Sequence, residues 1–298
     1  MKKNLYSFFA IVSSILSFHL GANDTFQSKL ELGQGYRHDK LKFTISGRHH
    51  KPNIISELDY KNQQIYLTTL KGTLSNGTYI GVVDLAYGDI LHGKVRDSDY
   101  SRNNKRGEFS RSILKIHGDY TVDASAKIGR IFPLFSGISL TPSIGYGAFW
   151  QHLHVKQGRQ VIPVHAHISH LNSSFKTVWS APFVDLLCTA PLAKTVFLDL
   201  EYMFFFPIKY TGKGHWNLRH LHFKQTNKEE RSYGQKGDIH LRWACTNRLE
   251  LGLGFGLAHF TAKDGTVKFK QHGFHSHQPS RRAVRTFTDY LVTLSYAF

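Results

Sequence analysis

Two aspartates, Asp97 and Asp99, sit one residue apart in "KVRDSDY" (94–100), within a chain of formal net charge +17. The run begins as a strand, and residues i and i+2 of a strand share a face. Two carboxylates held that close repel, so one keeps its proton above the usual carboxylate range. An ionised partner beside it can act as a base on water. The bland counterpart is ion pairing, since Arg96 and Arg102 stand beside the pair.

The 19 histidines are the second chemical feature. Four His-x-His pairs occur: His152/His154, His165/His167, His220/His222 and His275/His277. On a strand, each pair could offer two nitrogens to one metal ion. No Cys or acidic cluster accompanies them along the sequence, so neither a metal nor a cofactor is expected. The expected property is a charge that rises as pH falls through ~6.5.

These residues must be positioned by strands. The mature chain divides into ten strand-like runs separated by turn residues. They lie near 28–46, 54–72, 78–96, 109–122, 138–156, 175–189, 195–210, 233–246, 249–263 and 285–298. In "YLVTLSYAF" the residues Tyr290, Val292, Leu294, Tyr296 and Phe298 form one apolar face, with mostly small residues opposite. In "LELGLGFGLAHF" the leucines and Phe255 alternate with Gly252, Gly254 and Gly256. That is the alternation of a lipid-facing strand around a narrow lumen. The fold expected is all-β: a ten-stranded antiparallel transmembrane β-barrel. The connection at 123–138, "AKIGRIFPLFSG" within it, is too long and apolar for a simple turn.

Residues 1–22 read as a secretory signal peptide, with Lys2 and Lys3 ahead of "LYSFFAIVSSILSF". Residues 23–298 would form the barrel. Cys188 and Cys245 read as strand residues rather than a bridge. Five long connections, 46–54, 96–111, 156–176, 209–231 and 264–285, hold 21 Lys or Arg against 6 Asp or Glu. Most of the excess charge would therefore sit on one rim, among phosphate-bearing outer-membrane lipid. No aromatic-basic motif supports a nucleic-acid partner.

The chain resembles the omptins, ten-stranded outer-membrane barrels that include surface aspartyl-type endoproteases. The similarity runs through "LELGQGYRHDKLKF" (30–43), "SELDYK" (56–61), "YIGVVDLAYGDILHGKVRDSDY" (79–100), "SIGYGAFW" (143–150), "APFVDL" (181–186) and the terminal phenylalanine. Within this superfamily it is similar to the Protochlamydia outer-membrane proteins, regarded as porin-like. The resemblance implies that Asp97 and Asp99 face a His-Asp pair across the mouth and activate a water. The matching stretch is "KGHW" (213–216), which keeps His215 and Trp216 but puts Lys213 at the aspartate position. A lysine there opposes an imidazolium instead of orienting it. The family's lipid A contact motif, Y-x-E-x-R, keeps Tyr146 but has Ala148 and Trp150 at its other positions.

The function expected is thus an omptin-like surface barrel of a Gram-negative outer membrane, long loops extracellular, in a structural or narrow, anion-preferring porin-like role. Its partners would be outer-membrane lipid and lipopolysaccharide, with anionic solutes, peptides or acidic host glycans beyond them. The alternatives are an active omptin-type endoprotease using Asp97, Asp99 and His215, and an adhesin acting through basic loops.

Overall fold

The computed structural model describes residues 26–116 and 118–298; the signal-peptide segment lies outside them. Fifteen strands form one antiparallel sheet. They are β1 (Gln27–Ile45), β2 (Ser56–Ser75), β3 (Tyr79–Arg102), β4 (Arg106–Ile116), β5 (Asp119–Arg130), β6 (Phe132–Pro133), β7 (Ser139–Ile162) and β8 (Ala166–Ile168). Then follow β9 (Ser173–Ala193), β10 (Val196–Phe205), β11 (Lys209–Trp216), β12 (Leu221–Thr226), β13 (Lys228–Ala244), β14 (Leu249–Gln271) and β15 (Phe274–Ala297).

The pairings close into a ring of ten staves. Both β4 and β5 bridge β3 to β7, one above the other, so they form a single stave with a break between Ile116 and Asp119. In the same way β10 continues into β11, and β12 into β13. Pairing of β1 with β15 closes the ring. All ten expected runs are present. Of the five outer connections the first, 46–54, is a loop holding the 3-10 turn Arg48–His50, but the other four are mostly strand. Most of the residues assigned to them extend the strands, and tips as short as Asn103–Lys105 and Asn217–His220 remain. Charge hid these extensions, because their apolar inner face is carried by short alternations interrupted by lysine, histidine and glycine. Likewise, the first half of the 123–138 connection belongs to β5, followed by the short β6 and a turn at Phe135–Gly137.

A band of exposed apolar side chains surrounds the half of the barrel nearer the termini. Leu32, Val83, Ile128, Ile144, Val184 and Leu253 lie on different staves, each at least 44% exposed. Such a belt faces lipid. Aromatic pairs bound it above: Tyr36 with Tyr66 (5.8 Å), Tyr87 with Tyr120 (6.2 Å) and Phe255 with Tyr290 (5.4 Å). A 24-residue strand such as β3 is about 80 Å long. Tilted, it far exceeds the ~25 Å apolar belt of an outer-membrane barrel. The outer part of the barrel therefore stands clear of the hydrocarbon layer. Among the described residues no helix is long and apolar enough to cross a membrane. Both cysteines are free.

The interior has two levels. The lower level is a cavity of about 570 Å³, reaching from Ser75, Ile131 and Asn247 near the turns up to Arg37, Phe149 and Asp289. Its charges are paired: Lys127 with Asp185 (2.7 Å) and Glu201, Arg242 with Asp199 (2.6 Å) and Glu250 (2.9 Å). Glycine on the inner face of β14 makes room here, for a Cβ on Gly252 would lie 2.3 Å from the His240 ring. Above the cavity Arg37 bridges Asp123 (2.6 Å) and Asp289 (2.7 Å), and Arg285 holds Asp39 (2.7 Å). Over these lies a hydrophobic core within the barrel. Phe149, Phe205, Phe260 and Phe287 form its lower tier, Trp179 and Tyr210 the middle, and Phe43, Tyr60, Phe175 and Phe223 the upper.

Candidate functional site

Asp97 and Asp99 lie near the outer end of β3 with their side chains inward. Asp97 is opposite the buried Leu58 on one side and Ser112 on the other, two residues beyond the fully buried Val95. Burial first, and Asp99 second, push the Asp97 carboxyl up to about 7, while Arg219 pulls it down. Asp99 is also raised by burial, opposed by hydroxyls of Ser56 and Ser110 and by Arg219. The pair is thus two inward carboxyls, of which Asp97 holds its proton up to near neutral pH.

Among the described residues, neither Arg96 nor Arg102 forms an ion pair with Asp97 or Asp99. Arg96 turns to the other face of β3, where it holds Glu57 (3.0 Å) and Asp59 (3.6 Å). Glu57 is fully buried there, and Lys42 (3.0 Å) and Lys105 (2.5 Å) also close on it. The cation that reaches the dyad electrostatically is Arg219, from the tip beyond β11.

His215 and Lys213 face away from the dyad. Directly opposed residues of neighbouring strands share a face. Gly214 opposes the buried Phe175 and the core residue Phe223, so Gly214 points inward. Its lack of a side chain is required, since a Cβ would lie 2.1 Å from the Phe223 ring. His215 and Lys213, one residue to either side, therefore lie on the outer wall, and Trp216 packs against the core. The dyad and His215 are on opposite faces of the barrel wall. The motif match supplies a histidine beside an aromatic but not its face, because one residue of register inverts it.

On the outer wall the register creates something the linear sequence conceals. His152, Lys176, Lys213, Lys224, Lys268 and His277 are successive cross-strand neighbours on β7, β9, β11, β12, β14 and β15. One step above run His154, Ser174, His215, His222, Lys270 and His275. His215 stacks on His222 at 4.3 Å, and burial together with His222 and His220 holds it below the usual imidazole range. Among the described residues, Lys176, Lys213, Lys224, Lys268 and Lys270 form no ion pair with an acid. Barrel strands tilt, so this ladder climbs. It starts at His152, two residues past Trp150, and reaches the outer ends of β14 and β15.

Residues 31–287 match the family model described as the Protochlamydia outer membrane protein. No curated protein sequence is similar to the chain. Among solved structures, the outer membrane protease OmpT from Escherichia coli superposes with a TM-score of 0.78 at 11% identity, over 94% of this chain and 99% of that one. Weaker overlaps include the translocator domain of autotransporter NalP from Neisseria meningitidis (TM-score 0.38, 10% identity, 100% and 97% covered). Another is OprG from Pseudomonas aeruginosa (0.31, 7%, 91% and 96%). At this identity the likeness to OmpT is one of fold. The match across most of the chain, the closed ring and the lipid-facing belt together place this outer-membrane β-barrel in the Protochlamydia outer membrane protein family.

Proposed function

We propose that the chain is a structural surface barrel, closed to solutes and without omptin-type proteolysis, whose partner is the lipopolysaccharide of the outer leaflet. The observation that carries this reading is the opposition of faces: Asp97 and Asp99 point into the mouth, while His215 and Lys213 point out of the wall. A water held between an acidic pair and a histidine needs both within one water of it, and this wall separates them. The aromatic core supports closure, because its tiers fill the lumen from Phe149 to Phe223. The unpaired lysine ladder supports an anionic partner. Like charges directly opposed across strands are destabilising, and multivalent phosphate-bearing lipid beside the wall relieves them.

Cleavage of peptides carrying paired basic residues tests the non-protease reading, using the refolded protein in lipopolysaccharide-containing micelles. Wild type and Lys213→Asp should both be inactive, since an aspartate at 213 would still face outward. Turnover by wild type that disappears in Asp97→Asn would overturn it.

A further inference from the structure

We propose a divalent transition-metal site on the outer wall, formed by Asp119, His152 and His154. His152 and His154 lie on β7 either side of the fully buried Leu153, so both imidazoles face outward. Asp119 opens β5, just past the break in its stave, where Gly118 takes a positive φ of 54°. Above the break Ile116 pairs with Val155, and below it Tyr120 pairs with His152. The break thus sets the Asp119 carboxylate against both rings. Its two oxygens lie 3.0 Å from His152 Nδ1 and 2.5 Å from His154 Nδ1. The two ring centroids are 4.6 Å apart.

Three features separate this cluster from an ordinary surface histidine pair. The carboxylate side chain is only 7% exposed, and among the described residues no Lys or Arg pairs with it. Among the described residues, this is also the one group of three or more His, Cys, Asp or Glu whose donor atoms converge. Finally, Tyr120 packs edge-on to His152 at 5.5 Å and restrains that ring.

Two imidazole nitrogens and one carboxylate oxygen suit zinc, copper(II) or nickel. Binding replaces the two imidazole–carboxylate contacts with metal bonds of about 2.0–2.2 Å. The remaining coordination positions face outward and are open to water. Lys176, the cross-strand neighbour of His152, opposes a cation electrostatically, and the Asp119 carboxylate offsets that charge. The other three His-x-His pairs gain no third donor among the described residues.

The test is titration of refolded protein in detergent with cobalt(II), a spectroscopic stand-in for zinc, with folding checked by heat-dependent gel mobility. The expected result is one saturable equivalent with a ligand-field absorption band. Asp119→Asn, which removes charge while keeping shape, should weaken it at least about tenfold, as should His154→Ala. The double variant His275→Ala/His277→Ala should leave it unchanged. Absence of a saturable equivalent in wild type, or wild-type affinity in Asp119→Asn, would overturn the assignment.

Discussion

His215 lies flat on His222 across the β11–β12 pair, with centroids 4.3 Å apart and planes 11° from parallel, on the outside of the wall whose inside carries the aromatic core. Burial and the neighbours His222 and His220 depress the His215 value. A base whose folded value lies below its unfolded value of ~6.5 is stabilising only while both states are neutral. That contribution is present above ~6.5 and is lost as pH falls through it. On going from pH 8 to pH 5.5, the urea midpoint of wild type should fall relative to that of His222→Gln, since both carry the same Asp97. Midpoints that shift equally in the two proteins would mean that the stack is not the sensor.

Asp97 predicts the opposite sign. Its folded value of about 7 stands above the ~3.9 of an unfolded aspartate. The folded state therefore holds the proton more tightly, and stability falls as pH rises from about 4 through 7. Asp97→Asn removes the ionisation, so the variant should gain roughly 1–3 kcal/mol at pH 8, a figure discounted because the side chain lines the mouth. The gain should vanish near pH 4. An equal effect at both pH values would show that Asp97 is not the titrating group.

The lysine ladder makes a separable prediction. Lys213 lies between Lys176 and Lys224, so Lys213→Glu exchanges two repulsions for two attractions. In detergent without lipopolysaccharide the variant should be more stable by about 0.2–1 kcal/mol per pair. Added lipopolysaccharide should raise the thermal midpoint of wild type more than that of the variant. An equal rise in both would remove the ladder as the contact surface.

Much of the architecture was legible in the sequence, and the parts that were not have definite causes. Strands bordered by lipid announced themselves, as in "YLVTLSYAF", because lipid demands an apolar face on alternate residues. Above the membrane that demand ends. The outer lengths of β9, β11, β12 and β14 carry lysine and histidine on one face and core residues on the other, and they resembled loops. The inner face there held the information, in Phe175, Phe223 and Val267, but it was spread over short alternations interrupted by charge. The dyad Asp97/Asp99 was readable because both members lie on one strand. Asp119 was not readable as a partner of His152 and His154, since it stands 33 residues from the nearer histidine and only the pairing of β5 with β7 joins them. The facing of His215 depended on register, and a motif alignment does not carry register.

The claim that the barrel is closed is tested most directly by conductance across a planar bilayer. Phe43, Tyr60, Phe175, Trp179 and Tyr210 are all at most 1% exposed and span the lumen above the 570 Å³ cavity. Reconstituted wild type should therefore give no resolved current steps at neutral pH in molar salt. The deletion Phe175→Ala, despite costing about 3–5 kcal/mol of stability, should remain silent, because the tiers below it still fill the lumen. Regular ohmic steps from wild-type protein, absent from protein-free bilayers, would contradict the closed barrel.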